Sequence, residues 1–86
     1  MNIKIDLKLI MRSISGATAK IDDVDKYVSE VLKQAGEGNE VTLTGAAPIW
    51  MYLKIAHALH GKAKRLFYSA PGQGINEFEI FNHDPG

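Results

Sequence analysis

The sequence predicts one α+β domain, residues 1–86, in which two helices pack on one face of a four-stranded mixed sheet. Three observations lead to this fold class. The chain has 86 residues, which suits one domain and leaves no room for a second. Its hydrophobic content of 45% and charged content of 23% are those of an ordinary globular protein. Segments with a period of two residues alternate with segments of helical period, in the order β-α-β-α-β-β.

The first half of the chain predicts a strand, a loop and a helix. Residues 2–11 alternate, and the apolar positions of one face are Ile3, Ile5, Leu7, Leu9 and Met11. Residues 12–20 are rich in serine, glycine and threonine, which predicts a loop. The helix that follows has Asp22 and Asp23 as candidate N-caps, and Gly36 ends it.

The second half predicts a strand, a second helix and a hairpin. Residues 41–44 form a short β-branched strand, and Pro48 is well placed as the first residue of a helix. Residues 64–68 and 75–81 predict two further strands, joined by a turn at 69–74. The first two strands should be parallel with a right-handed crossover, and the last two should form a hairpin. The arrangement is ferredoxin-like, with rearranged final strands.

Composition excludes several classes of protein. The chain has no cysteine, so it has no disulfides, thiolate metal sites or cysteine nucleophile. No apolar run approaches about 18 residues, so no membrane span is expected. The alternating N-terminus predicts no signal peptide, and we therefore expect a cytoplasmic protein. The formal net charge of zero argues against a general nucleic-acid coat protein, and no DNA partner is expected.

Charge is distributed unevenly along the chain. Residues 41–76 contain no aspartate or glutamate. The basic and titratable groups of this segment are Lys54, His57, His60, Lys62, Lys64 and Arg65. They either present a positive field to an anionic ligand or form an ordinary solvated surface. Charge alone does not separate these two interpretations.

The turn after the second strand is the best candidate for a ligand site. Small residues fill it: Gly45, Ala46, Ala47 and Pro48. They let an anion approach the backbone, and the helix N-terminus supplies unpaired N–H groups and partial positive charge, so phosphate is the natural ligand. Arg12 and Ser13 would lie nearby if the first two strands are parallel neighbours. The alternative is that Gly45 only makes the bend, and the segment lacks the Gly-Lys-Ser/Thr ending of a Walker loop.

Two histidines, His57 and His60, lie three residues apart on the second helix. They could be acid–base groups for phosphodiester cleavage, because histidine titrates near neutrality. They could be metal ligands, but His83 or Asp84 would then have to complete the set, and we assign no metal ligands. They could also be structural, with His60 stabilising the helix C-terminus. The sequence leaves these three roles open.

Aromatic residues surround the same helix. Trp50 lies in the first turn of this helix, Tyr52 follows, and Tyr68 ends the third strand. Each side chain either stacks on a nucleobase or packs against the sheet.

One combination of motifs resembles a known family. A glycine turn running into Pro-Ile-Trp is followed by Ala-His-x-x-His and by a strand that ends in tyrosine; the residues are Gly45, Pro48, Ile49, Trp50, Ala56, His57, His60 and Tyr68. This pattern resembles the CRISPR-associated "Csx-three" family of type III systems. About half of the chain matches closely, and the predicted order of elements matches the remainder loosely.

The resemblance implies a function. Members of that family have a ferredoxin-like fold, form dimers and act on cyclic tetra-adenylate, the second messenger of type III CRISPR antiviral defence. Some are described as manganese-dependent nucleases that shorten RNA. By this resemblance the turn around Gly45 contacts ligand phosphate or ribose, and His60 takes part in cleavage. We therefore expect a cyclic oligoadenylate as ligand and a homodimer or higher oligomer. The lack of a long apolar run predicts no membrane partner.

The chain departs from the family pattern where the family carries charge. Ser69 stands where the family usually has aspartate, no arginine follows Pro71, and Ala46 replaces a frequent arginine. Three functions follow as alternatives. The first is a ring nuclease, with His60 as general acid or base, Ser69 as a second catalytic candidate and turn amides holding the phosphate. The second is a non-catalytic binder of the same ligand. The third is an unrelated interaction module.

Overall fold

Strand β1 (Asn2–Asp6) is half as long as the alternation predicts, because a helix, α1 (Leu7–Ser15), replaces its second half. The computed structural model describes residues 2–83. The Asp6 carboxylate caps α1 by accepting hydrogen bonds from the backbone N–H groups of Lys8 (2.9 Å) and Leu9 (3.4 Å). The strand predicted at 2–11 and the loop predicted at 12–20 are therefore wrong over residues 7–15.

Helical spacing explains the early end of β1. Leu7, Ile10 and Met11 are buried on one face of α1, whereas Leu9 is 62% exposed. An alternating strand would have put Leu9 with Leu7 and Met11 in the core. Three α-helices therefore occur among residues 2–83, where the sequence predicted two.

The remaining elements follow the prediction closely. They are α2 (Val24–Ala35), β2 (Glu40–Thr44), α3 (Ile49–Leu59), β3 (Arg65–Ala70) and β4 (Ile75–Asn82). Short 3-10 helices occupy Ile21–Asp23 and Pro71–Gln73. Gly36 ends α2 as predicted, with a φ of 67°. Pro48 is the N-cap of α3 and not its first residue.

The four strands form one mixed sheet in the order β1-β2-β3-β4. β1, β2 and β3 are parallel, and β4 pairs antiparallel with β3. The predicted α+β class with a four-stranded mixed sheet is confirmed, and the architecture is consistent with a ferredoxin-like α/β sandwich. The predicted parallel pair and final hairpin are also confirmed.

The core lies between the sheet and its helices. The sheet contributes Ile5, Val41, Leu43 and Leu66, and α2 and α3 contribute the fully buried Tyr27, Val31, Met51, Ile55 and Leu59. Each such side chain stabilises the fold by about 1.5–3 kcal/mol on burial. Both crossovers connect neighbouring parallel strands in the same direction, so right-handed connections put α2 and α3 on one face. No helix within residues 2–83 is long and apolar enough to cross a membrane.

This topology fixes the geometry of the candidate site. The C-terminal ends of β1, β2 and β3 lie along one edge of the sheet, because these strands are parallel. α3 begins at that edge and runs back to the other. Its 11 residues span about 16 Å at 1.5 Å per residue.

Candidate functional site

The turn between β2 and α3 is packed against the end of β1. Asp6 pairs in register with Thr44, so the Asp6 side chain lies next to Gly45. Gly45 has a φ of +101°, and a Cβ atom built there would lie 2.9 Å from Cγ of Asp6 and 3.0 Å from the Lys8 nitrogen, with the carboxylate oxygen closer still. The lack of a side chain at Gly45 is therefore required by the bend and by its neighbour.

Asp6 is the site residue that the sequence analysis missed. Its carboxylate places negative charge beside the turn, but the α1 N-terminus partly offsets this charge by donating two hydrogen bonds. The available signal was an aspartate directly before Leu7, Ile10, Met11 and Ile14, which have helical spacing. The stronger-looking alternation of residues 2–11 concealed it.

Ser69 lies beside the turn, on the neighbouring strand. The Thr44 hydroxyl donates a 2.7 Å hydrogen bond to the Ser69 carbonyl, which joins the ends of β2 and β3. Ser69 is only 5% exposed. The structure therefore brings this catalytic candidate close to the turn but covers it almost completely.

Tyr52 supports the turn from the first turns of α3. Its hydroxyl donates a 2.6 Å hydrogen bond to the Gly45 carbonyl, and its ring packs edge-on against Tyr68 at 5.3 Å. Burial, with smaller contributions from Tyr68 and Asp6, raises the pKa of Tyr52 to about 12. Trp50 is half-buried against the core, with its ring 6.3 Å from that of Tyr27. All three aromatic side chains therefore pack within the protein.

We expect Tyr52→Phe to lower the free energy of unfolding by about 1 kcal/mol at pH 7, because the Gly45 carbonyl loses its donor. The raised pKa also predicts a pH effect. The unfolded tyrosine loses its proton near pH 10 and the folded one near 12, so wild-type stability falls across this window. Urea unfolding at pH 7, 10 and 12 should show the difference between the two proteins shrinking. A constant difference would contradict the assignment.

Arg12 and Ser13 lie on α1. Ser13 lines an open cleft between α1 and the edge of the sheet; the other lining residues are Lys4, Asp6, Leu9, Ile10, Gln34 and Thr44. Its hydroxyl donates to the Ile10 carbonyl at 2.9 Å. Arg12 is exposed in the last turn of α1 and does not line this cleft. Of the two predicted ligand contacts, the structure thus brings Ser13 to the same cleft as Thr44.

Ser15, near Arg12 and Ser13 in sequence, is engaged elsewhere. Its hydroxyl donates a 2.6 Å hydrogen bond to the Asp23 carboxylate and is hydrogen-bonded to the Tyr27 hydroxyl. The Lys20 backbone N–H donates to the same tyrosine oxygen at 3.0 Å. The bond from Ser15 lowers the pKa of Asp23. These hydrogen bonds connect the end of α1 to the start of α2.

His60 lies at the opposite end of α3 from the turn. It is exposed, and its ring contacts those of His83 at 4.4 Å and Phe81 at 5.3 Å. Within residues 2–83, no three histidines or carboxylates gather in a way that could hold a metal. Manganese prefers oxygen ligands, so the pair His60 and His83 does not fit it. Asp84, the other residue considered for a metal site, lies outside the described residues.

The structure therefore divides the predicted site. Gly45, Ala46, Ala47, Pro48 and Ser69 lie at one edge of the sheet, and His60 lies near the other. The length of α3, about 16 Å, separates them within one chain.

Acidic neighbours offset part of the positive field expected from residues 41–76. Arg65 contacts the carboxylates of Glu79 at 2.7 Å and Glu40 at 3.7 Å, and Lys62 contacts Glu37 at 3.3 Å. These acids come from outside the acid-free segment, so the fold neutralises charge that the sequence separates.

Comparison with known proteins adds no relative. The chain matches no family model, no curated protein and no solved structure.

Proposed function

We propose that this protein binds a cyclic oligoadenylate through the turn that joins β2 to α3. One observation carries the proposal: small residues of the turn open at the sheet edge where three parallel strands end and α3 begins. Ligands of open α/β sheets gather at such an edge. The Pro48 carbonyl accepts the first hydrogen bonds of α3, from the backbone N–H groups of Met51 (3.1 Å) and Tyr52 (3.3 Å). The backbone N–H groups that come before Met51 take no part in the hydrogen bonds of the helix. They are available to a phosphate oxygen.

The resemblance to the Csx-three family supplies the class of ligand. The pattern from Gly45 to Trp50, with His57 and His60 following, lies on one continuous turn and helix. Ala46 is exposed on this turn, where the family often has arginine. Binding then depends on backbone groups more than on side-chain charge.

Cleavage by His60 at a phosphate held by this turn requires a second copy of the chain. The length of α3 keeps the two apart within one copy. A cyclic tetranucleotide has two-fold symmetry, which suits a site shared across a dimer axis. The non-catalytic binder is the second candidate function, and the specific observation that favours it is the burial of Ser69 where the family has aspartate.

The test is incubation of the purified protein with cyclic tetra- and hexa-adenylate, with and without manganese. Chromatography detects linear products, and titration calorimetry measures affinity. Linear products support the ring nuclease, whereas tight binding without products supports the binder. If the protein neither binds nor cleaves these ligands, both candidate functions are refuted.

A pair of variants tests whether the ligand binds at this turn. Ala46→Asp adds a carboxylate to the turn, and we expect it to weaken ligand binding at least tenfold by repelling phosphate, a loss of about 1.4 kcal/mol. Ala17→Asp adds the same charge to an exposed residue of another loop and should leave affinity unchanged. Equal effects of the two variants would place the ligand elsewhere.

A further inference from the structure

Two exposed histidines from different elements meet at the edge of the sheet where β3 begins. His60 caps the C-terminus of α3, and His83 follows the last residue of β4. Their ring centroids lie 4.4 Å apart, and the ring planes are nearly perpendicular, at 85°. We call these two residues the His60–His83 pair. The proposed function gives a role to His60 and none to its contact with His83.

The topology of the sheet brings the pair together. α3 precedes β3, so the C-terminus of α3 lies at the edge where β3 starts. β4 runs antiparallel to β3 and therefore ends at the same edge. The His83 backbone N–H donates a 2.8 Å hydrogen bond to the Lys64 carbonyl, which holds His83 beside the start of β3.

The ring nitrogens of the pair have no polar partner within residues 2–83. The rings contact each other and the ring of Phe81, whose centroid lies 5.3 Å from that of His60 and 4.9 Å from that of His83. Phe81 is half-buried against the core, so it supports both imidazoles from one side. Neutral imidazole is the commonest metal ligand in proteins, and two of them are available here.

The spacing of the two rings suits one cation bound by both. An imidazole nitrogen lies about 2.0–2.1 Å from a bound cation of this kind. Two imidazoles at adjacent positions of a square-planar or octahedral ion therefore have ring centres about 4.5 Å apart. The observed separation is 4.4 Å. Both side chains are exposed, so each ring can turn about its own bonds to direct a nitrogen at the ion.

We propose that the His60–His83 pair binds one divalent transition-metal cation, with copper(II) bound most tightly. Imidazole suits copper, nickel and zinc, and the affinity of nitrogen ligands rises from manganese to copper. Two protein ligands leave the other coordination positions to water, so this is an open surface site and not a closed structural one. The cation differs from manganese, whose preference for oxygen ligands the pair does not meet.

Titration calorimetry of the tag-free protein with copper(II) chloride tests the proposal. No nucleotide is present, so the result is independent of the proposed function. We expect one cation per chain, with a dissociation constant between about 1 µM and 1 mM. His60→Ala and His83→Ala should each weaken binding at least tenfold. The double variant should bind no more weakly than either single one, because one ring alone cannot chelate.

His57→Ala is the matched control. His57 is an exposed histidine of the same helix, and its ring is not part of the cluster of His60, Phe81 and His83. Its removal should leave the copper affinity unchanged. Electron paramagnetic resonance of the copper-loaded protein counts the ligands, and we expect two imidazole nitrogens in the wild type. Circular dichroism checks that each variant is folded.

Four results would overturn the proposal. The first is a wild-type protein that binds no copper up to about 1 mM. The second is a loss of affinity in His57→Ala as large as that in His60→Ala. The third is a double variant in which the two single losses add, since this would indicate two separate ligands. The fourth is manganese binding as tight as copper binding, because it would indicate oxygen ligands.

Discussion

Replacing Gly45 with alanine is expected to lower the free energy of unfolding by about 1.5–4 kcal/mol. Two costs add. A residue with a Cβ atom at positive φ costs about 1–2 kcal/mol, and φ is +101° here. The new methyl group would also displace the Asp6 carboxylate from the α1 N-terminus, and loss of a helix cap costs about 0.5–2 kcal/mol. Urea unfolding followed by circular dichroism measures the sum.

Two other glycines separate these costs. Gly38 has a φ of +74°, and no heavy atom lies within 4 Å of the position that a methyl group would take there, so Gly38→Ala reports backbone strain alone. Gly72 is open and is not at positive φ, so Gly72→Ala should be close to neutral. If Gly45→Ala costs no more than Gly38→Ala, the contact with Asp6 does not constrain the turn.

If the protein cleaves its ligand, His60→Ala is expected to lower the rate of ring opening by about 10²–10⁴-fold, because general acid–base catalysis contributes that much. Affinity for the cyclic ligand should stay within a few fold, since backbone groups of the turn, and not His60, hold the phosphate in the proposed site. Single-turnover kinetics with excess enzyme separates the chemical step from binding.

His83→Ala is the informative control for this variant. The rings of His60, Phe81 and His83 form one cluster, so His60→Ala removes packing as well as an imidazole. An acid–base role predicts that His83→Ala keeps most of the activity and that His60→Ala flattens the pH–rate profile. Equal losses in the two variants would mean that His60 acts through the cluster and not as a proton-transfer group.

The sequence predicted the second half of the fold well and failed over residues 7–15. From β2 onwards, glycine and proline residues mark the ends of the helices and strands. The apolar residues of each segment fit either the strand period or the helical period, but not both. In the N-terminal segment Leu7 and Met11 fit both periods, and only Leu9 and Ile10 decide between them. The decisive interaction is the cap from Asp6, which is local and could have been read from the sequence.

The site was predicted less completely, for two reasons. The contacts of Gly45 with Asp6 and of Thr44 with Ser69 join segments distant in sequence and depend on strand register, which no periodicity gives. The separation of His60 from the turn could have been predicted, because it needs only the rise of a helix. The sequence analysis assigned both to one chemical step without taking that length into account.

The contact between Asp6 and Gly45 makes two distant positions depend on each other during evolution. The carboxylate fills the space that a side chain at Gly45 would need, and it also decides where β1 stops and α1 starts. A relative that carries a larger residue at position 45 should therefore carry a smaller one at position 6 and another means of starting its first helix. Substitutions at the two positions are expected to be inherited together, although they lie 39 residues apart in the chain.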